Sequence, residues 1–274
     1  MRQYFLHNVG ANNFLKHLKL LQSSVIFFYI ALEILLQKGH GLSHNYSINI
    51  GVQLLSKYDL TTVEGKKQAY SDYCWHDHAF LRKNFQNAHE ISKGVWRSNQ
   101  PSPEQLAVWK EKGIKTIINL RGDIDSSFTA LEKDACQKLG LKLLFFKVES
   151  RGAPNPVIMR DLVKAFETAE YPILLHCKSG ADRAGLASSL YKYLIDKVSI
   201  QEAKKQLSFK YLHVSAGKTG ILGHFWNKFE KAHIESGIEF WDWVDNVYQR
   251  DKLFDDFKPT PVGSWITDNL LKRE

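Results

Sequence analysis

A cysteine and an arginine with five residues between them lie where an apolar run gives way to a helical repeat, and no other stretch constrains this chain as tightly. The segment reads Tyr171-Pro172-Ile173-Leu174-Leu175-His176-Cys177-Lys178-Ser179-Gly180-Ala181-Asp182-Arg183-Ala184-Gly185. The apolar run over 171–175 predicts a short buried strand, and the spacing of Leu186, Leu190 and Leu194 predicts a helix. At such a turn the backbone N–H groups of 178–183 face inward and, with the positive end of the helix, suit a phosphate dianion. Arg183 closes that ring, because a planar guanidinium grips two phosphoryl oxygens at once. The same positive field favours the thiolate of Cys177, which can attack phosphorus and give a phosphocysteine that water then hydrolyses. Gly180 and Gly185 stand where a sharp turn and close helix packing leave little room for a Cβ. Lys178, Ser179, Gly180 and Ala181 are thereby substrate-binding candidates, with Cys177 and Arg183 as catalytic ones. The alternative for Cys177 is a small buried hydrophobe.

These residues resemble the signature loop of the protein tyrosine phosphatase superfamily, more closely its dual-specificity-like branch as found in bacteria. Two upstream landmarks extend the resemblance. Gly94-Val95-Trp96-Arg97-Ser98-Asn99-Gln100-Pro101 is similar to the opening strand and turn of that group, and Lys115-Thr116-Ile117-Ile118-Asn119-Leu120-Arg121 to its next core strand. The resemblance covers residues 70–230 and implies the α/β cysteine phosphatase fold. That fold is a three-layer sandwich in which helices flank a central, mostly parallel sheet, with the site at the carboxyl end of the strand closing at His176. It implies phosphomonoester hydrolysis on phosphoprotein (phosphotyrosine, also phosphoserine or phosphothreonine) or inositide-type substrates, with no metal and no organic cofactor. It also gives His176 the role of tuning the thiolate through hydrogen bonding, without acting as a base.

The chain departs from that pattern in two places. The position after the loop arginine usually carries Ser or Thr, whose hydroxyl helps the thiolate leave phosphocysteine; here it is Ala184. The general acid is usually an Asp on a loop ahead of the cysteine, reached through a strand. Here the strand is 143–148 and the loop 149–156 contains no aspartate, leaving Glu149 as its one carboxylate. The rival acid is Asp182, since loops with aspartate beside the arginine resemble those of myotubularin-type and Sac-type inositide phosphatases. A catalytically weak or silent phosphate-binding module is the alternative function, and sulfur transfer or arsenate reduction a more distant one.

The rest of the chain is organised around this module. The expected division is an N-terminal apolar helix and linker over 1–68, the phosphatase domain over 69–232 and a C-terminal extension over 233–274. Residues 20–36 are largely apolar between lysines, readable as a membrane anchor, a packed or partner-binding helix, or a secretory signal; Gln22, Ser23, Ser24 and Glu33 interrupt the run. Three cysteines without framework spacing argue against a disulfide scaffold and for a reducing, cytoplasmic setting, with membrane association through 20–36 as a further reading. A formal charge of +8 suits anionic substrates or lipid surfaces, while no nucleic-acid motif is present. The stretch 73–78, with Cys74, His76 and His78, lacks the spacing of a structural zinc site and reads better as an aromatic segment docking on the core. Helices are expected over 201–207 and 222–232, and the segment between them offers His213 and Lys218 as contacts to further phosphate groups or as exposed loop residues.

Overall fold

Ile173, Leu174 and Leu175 are wholly buried and form the middle strand of a five-stranded sheet. The computed structural model describes residues 57–261 and 263. Its strands are β1 (His89–Ser92), β2 (Val95–Ser98), β3 (Thr116–Asn119), β4 (Lys142–Phe145) and β5 (Ile173–His176), in the order β1-β2-β5-β3-β4. Only β1 runs antiparallel to its neighbour; the other pairings are parallel. Parallel strands are covered on both faces and so read as near-continuous apolar runs, which is why 173–175 and the Ile117-Ile118 pair stand out in the sequence. Register brings Ser98 and Asn119 alongside His176, so three strands end level with one another. Ligand sites in open α/β sheets lie off such carboxyl ends.

Nine α-helices are described: α1 (Val63–Trp75), α2 (Pro103–Glu111), α3 (Ser127–Leu139), α4 (Pro156–Thr168), α5 (Asp182–Leu190), α6 (Ile200–Lys204), α7 (Ile221–Ser236), α8 (Phe240–Asn246) and α9 (Arg250–Asp256). Alternation along the strands sorts them into layers. Ile118, Ile173 and Leu175 face a core shared with Leu162 and Phe166 of α4, Leu186 and Leu190 of α5, and Phe225 and Trp226 of α7. Ile117 and Leu174 face the other way, onto Leu106 and Trp109 of α2 and Ala135 and Cys136 of α3. The expected three-layer α/β sandwich with a mostly parallel sheet is the architecture found. Helix starts follow their caps: Ser102 and Gln105 form a reciprocal capping box at α2, and Asn155 with Pro156 opens α4.

Several expected elements differ in extent. The helix after the loop keeps its α form only to Leu190, and Leu194 lies in a π turn over Tyr191–Ile195. The strand expected over 143–148 is Lys142–Phe145, beyond which Lys147 bridges to Arg121. The expected boundaries at 68 and 232 fall inside α1 and α7. The segment 73–78 docks only in part: Tyr73 is buried with Tyr58, Ala79 and Phe128, while Trp75 is 66% exposed. Past α7, the chain folds back through α8 and α9, and Phe240, Trp243 and Tyr248 ring Phe225. Edge-to-face packing of this kind adds to the area each ring buries. No helix among the described residues is long and apolar enough to cross a membrane, and the apolar stretch 20–36 lies outside them.

Candidate active site

The loop between β5 and α5 is held from behind by its carbonyl oxygens. Gln100 N donates to Lys178 O at 3.3 Å, Asn87 Nδ2 to Ser179 O at 3.0 Å, and Arg97 Nη2 to Gly180 O at 2.8 Å and Ala181 O at 3.0 Å. A peptide carbonyl turned outward turns the next N–H inward, so these bonds make a concave array of donors at the start of α5. Gly180 has φ +72, and a Cβ there would lie 2.7 Å from Asn99 N, so only glycine allows the loop to sit against the end of β2. Gly185 is equally constrained: its Cβ would meet Leu207 Cδ2 at 2.7 Å and Gln206 O at 3.0 Å. Cys177 is buried at the base of this cradle, with Lys178, Ser179 and Arg183 half-buried around it. Cys74, Cys136 and Cys177 are all free thiols.

His176, wholly buried, has Nε2 2.6 Å from Glu132 Oε1 on α3. The other oxygen of Glu132 accepts from Asn119 Nδ2 at 2.5 Å, and Asn119 Oδ1 accepts from Arg121 N at 2.7 Å. β3 and α3 thus enclose the ring that precedes the cysteine, but neither nitrogen of His176 makes a well-formed hydrogen bond among the described residues, so the expected hydrogen-bond tuning of the thiolate by His176 is not seen. Cys136 lies one turn beyond Glu132, and burial, reinforced by the Glu132 charge, pushes its thiol up to about 12.

The two acid candidates occupy different surroundings. Asp182 is buried as the first residue of α5, and its Oδ1 lies 2.7 Å from His213 Nδ1. His213 is also buried, hence not an exposed loop residue, whereas Lys218 is exposed. Glu149 is half-exposed and paired with Arg250 of α9 at 2.8 Å; its Oε2 folds over Gly152, where a Cβ would come within 1.9 Å. Arg250 Nε also donates to Ala153 O, and Tyr248 OH to Pro154 O. The C-terminal extension therefore holds the loop that carries Glu149.

A second cluster abuts Lys178. Asp77, buried, accepts from Arg121 at 2.6 and 3.1 Å and pairs with Arg82, with Lys178 Nζ 4.0 Å away. Burial opposes its charge, but the Arg121 hydrogen bond, with the charges of Arg121, Arg82 and Lys178, holds its carboxyl below the usual range. Asp77, Arg97, Glu132 and Asn87 were not singled out as site residues by sequence reasoning. Arg97 and Asn119 did stand within the quoted landmarks; Glu132 carried only the signal of a carboxylate on an otherwise buried helical face.

Known proteins bear on this arrangement. The chain is 26% identical over 100 residues to inositol diphosphatase DSP4 of Arabidopsis thaliana, covering 35% of this chain and 49% of that one. It is 25% identical over 121 residues to the dual specificity protein phosphatase TpbA of Pseudomonas aeruginosa, covering 44% and 53% respectively. It thus spans about half the length of these curated relatives. Among solved structures, P. aeruginosa TpbA aligns at 16% identity and TM-score 0.44, covering 57% of this chain and 94% of that one. The catalytic core of the PP-IP phosphatase SIW14 from S. cerevisiae aligns at 16% identity and TM-score 0.44, covering 56% and 93%. Residues 76–219 match the family described as DSP-PTPase phosphatase fused to NAD+ kinase, and because that match takes in the loop and more than half of the sequence, the chain belongs to this family.

Proposed function

We propose that the chain hydrolyses phosphomonoesters through a phosphocysteine on Cys177. The observation that carries this reading is the cradle: four consecutive loop carbonyls held outward above a buried cysteine, at the start of a helix. The substrate phosphoryl group binds the inward amides of 178–183 and Arg183, which neutralise its charge. The Cys177 thiolate attacks phosphorus, the bond to the ester oxygen breaks, and that oxygen takes a proton from a carboxylic acid. Water then attacks phosphorus and gives a proton to the carboxylate left by the first step, the P–S bond breaks, and phosphate leaves with the thiolate and the acid restored. Asp182 is the acid we favour, because it sits in the loop itself, while Glu149 is tied to Arg250. His176, enclosed beside Glu132, touches no substrate.

The substrates we propose are phosphoproteins or inositide-type phosphates; of the relatives, TpbA is named a dual specificity protein phosphatase and DSP4 an inositol diphosphatase. A net charge of +8 and the presence of Lys178 within the loop favour anionic ligands of either kind. The catalytic unit we propose runs from 69 to 232, with the extension after it bracing the 149–155 loop. A cytoplasmic setting fits three free thiols.

Phosphate release from phosphotyrosyl, phosphoseryl and inositide substrates by the purified chain, with Cys177→Ser alongside, tests the reading. Release by the wild type and its loss in the variant are expected. Equal release by Cys177→Ser would overturn the covalent route, and tight phosphate binding without turnover would favour a silent phosphate reader.

A further inference from the structure

Arg97 is a charged side chain with no exposed surface, and the two bonds it gives the loop account for only part of its fork. It projects from β2, in register with Leu175 of β5, one residue before the Ser98–His176 pair. Both terminal nitrogens of its guanidinium are engaged, while Nε is buried without a partner among the described residues. Nη1 donates to Gln206 O at 2.8 Å and Gln206 Oε1 at 3.0 Å, while Nη2 takes the carbonyls of Gly180 and Ala181. The guanidinium carbon stacks 4.1 Å from the centroid of the Tyr211 ring. No carboxylate contacts the fork among the described residues, so the charge is held by neutral acceptors and a ring face. Such burial is costly unless something nearby uses the charge. Burial pulls Arg97 down to about 10, against the influence of Cys177, Tyr211 and Asp182, and it stays a cation at neutral pH.

We infer that Arg97 is a positioning residue for this site: its fork turns the Gly180 and Ala181 carbonyls away from the phosphate, and its buried charge stabilises negative charge on Cys177 from behind. The inference rests on the phosphocysteine reading of the loop. It separates two jobs within one side chain. Holding two successive carbonyls requires a planar fork, which lysine lacks. Supplying a cation requires only charge in a dry place, where it is little screened.

Alkylation of Cys177 by iodoacetamide, followed across pH by peptide mass, needs no turnover and tests the charge. Protection against alkylation by inorganic phosphate tests the cradle. In Arg97→Gln the inflection of the alkylation profile should move up by about one pH unit, which is about a tenfold change in thiolate at a given pH below it. Phosphate protection should weaken about tenfold as well. In Arg97→Lys the inflection should return towards wild type while protection stays weak, and phosphate release, where measured, should lose KM more than kcat. A merely structural arginine would not separate the two readouts. Folded variants with wild-type inflection and wild-type protection overturn the inference. If Arg97→Gln does not fold, Arg97→Lys decides alone, and wild-type phosphate protection in it is the overturning result. Absence of phosphate release from the wild type would sink the enzyme reading and leave the alkylation result standing by itself.

Discussion

Asp182 and His213 meet at 2.7 Å, Oδ1 to Nδ1, with both side chains buried and 31 positions apart in the chain. The contact pins the carboxyl group of the phosphate loop to the segment that follows α6, and it fixes which way the group points. The proton donor we propose is fixed in this way, whereas Glu149 faces Arg250. An activated aryl phosphate departs with little protonation, whereas an alkyl phosphate needs the acid. We therefore expect Asp182→Asn to lower kcat/KM for phosphoserine or an inositide by roughly 10²–10⁴-fold, with a small effect on an aryl phosphate. Glu149→Gln should leave both substrates near wild type. Parallel kinetics on the two substrate types check this, and a selective alkyl defect in Glu149→Gln instead would reverse the assignment.

Glu132 is wholly enclosed and carries two contacts at once, to His176 and to Asn119. Removing Glu132 takes away the acceptor of the buried Asn119 amide and the neighbour of the buried His176 ring, at a cost of about 1–3 kcal/mol. Glu132→Ala should lower stability by that order, visible as a shifted urea midpoint, and the loss should be shared with His176→Ala rather than added to it. Additive losses in the double variant would mean that the two residues act separately.

Much of the core was legible because its signals are local. The run at 171–175, the glycines of the loop and the leucine spacing after it each report on a few neighbouring residues, and β5, the loop and α5 follow. Contacts between distant parts of the chain left no such trace. Asp77 pairs with Arg121 across 44 positions, and Arg97 reaches Gln206 across 109. Neither partner can be chosen from spacing when every charged residue in the chain is a candidate. The C-terminal extension was opaque for the same reason: Tyr248 and Arg250 act on Pro154, Ala153 and Glu149, which lie 94 to 101 positions earlier. Ala184, by contrast, was visible at once as a departure from the loop pattern.

That alanine is buried in the same cluster as Cys177 and is the third residue of α5. It offers no hydroxyl to the departing sulfur, so breakdown of phosphocysteine should be the slow half of the cycle. Mixing enzyme with excess aryl phosphate should then give a burst of leaving group followed by slower turnover. Ala184→Ser should raise the steady rate and shrink the burst. Rapid-quench measurement of phosphocysteine decides it, and an unchanged steady rate with no detectable intermediate would refute the argument.

Asp77 ties the segment after α1 to Arg82, Arg121 and the phosphate-loop Lys178, and its carboxyl lies below the ordinary value of 3.8. A carboxyl depressed in the folded state binds its proton more weakly there than in the unfolded chain. It therefore adds stability above the unfolded value, and that stability is lost as pH falls through the folded one. The window is acidic, below about pH 4. At pH 7, Asp77→Asn should cost about 3–5 kcal/mol, because three cations lose a buried counter-charge. As pH drops below about 4, the wild type protonates the same group, and the gap between the two proteins should narrow. Urea midpoints at pH 7, 4 and 3 measure this directly. A gap that stays constant down to pH 3 would mean that Asp77 holds this corner by shape and hydrogen bonding, with its charge contributing little.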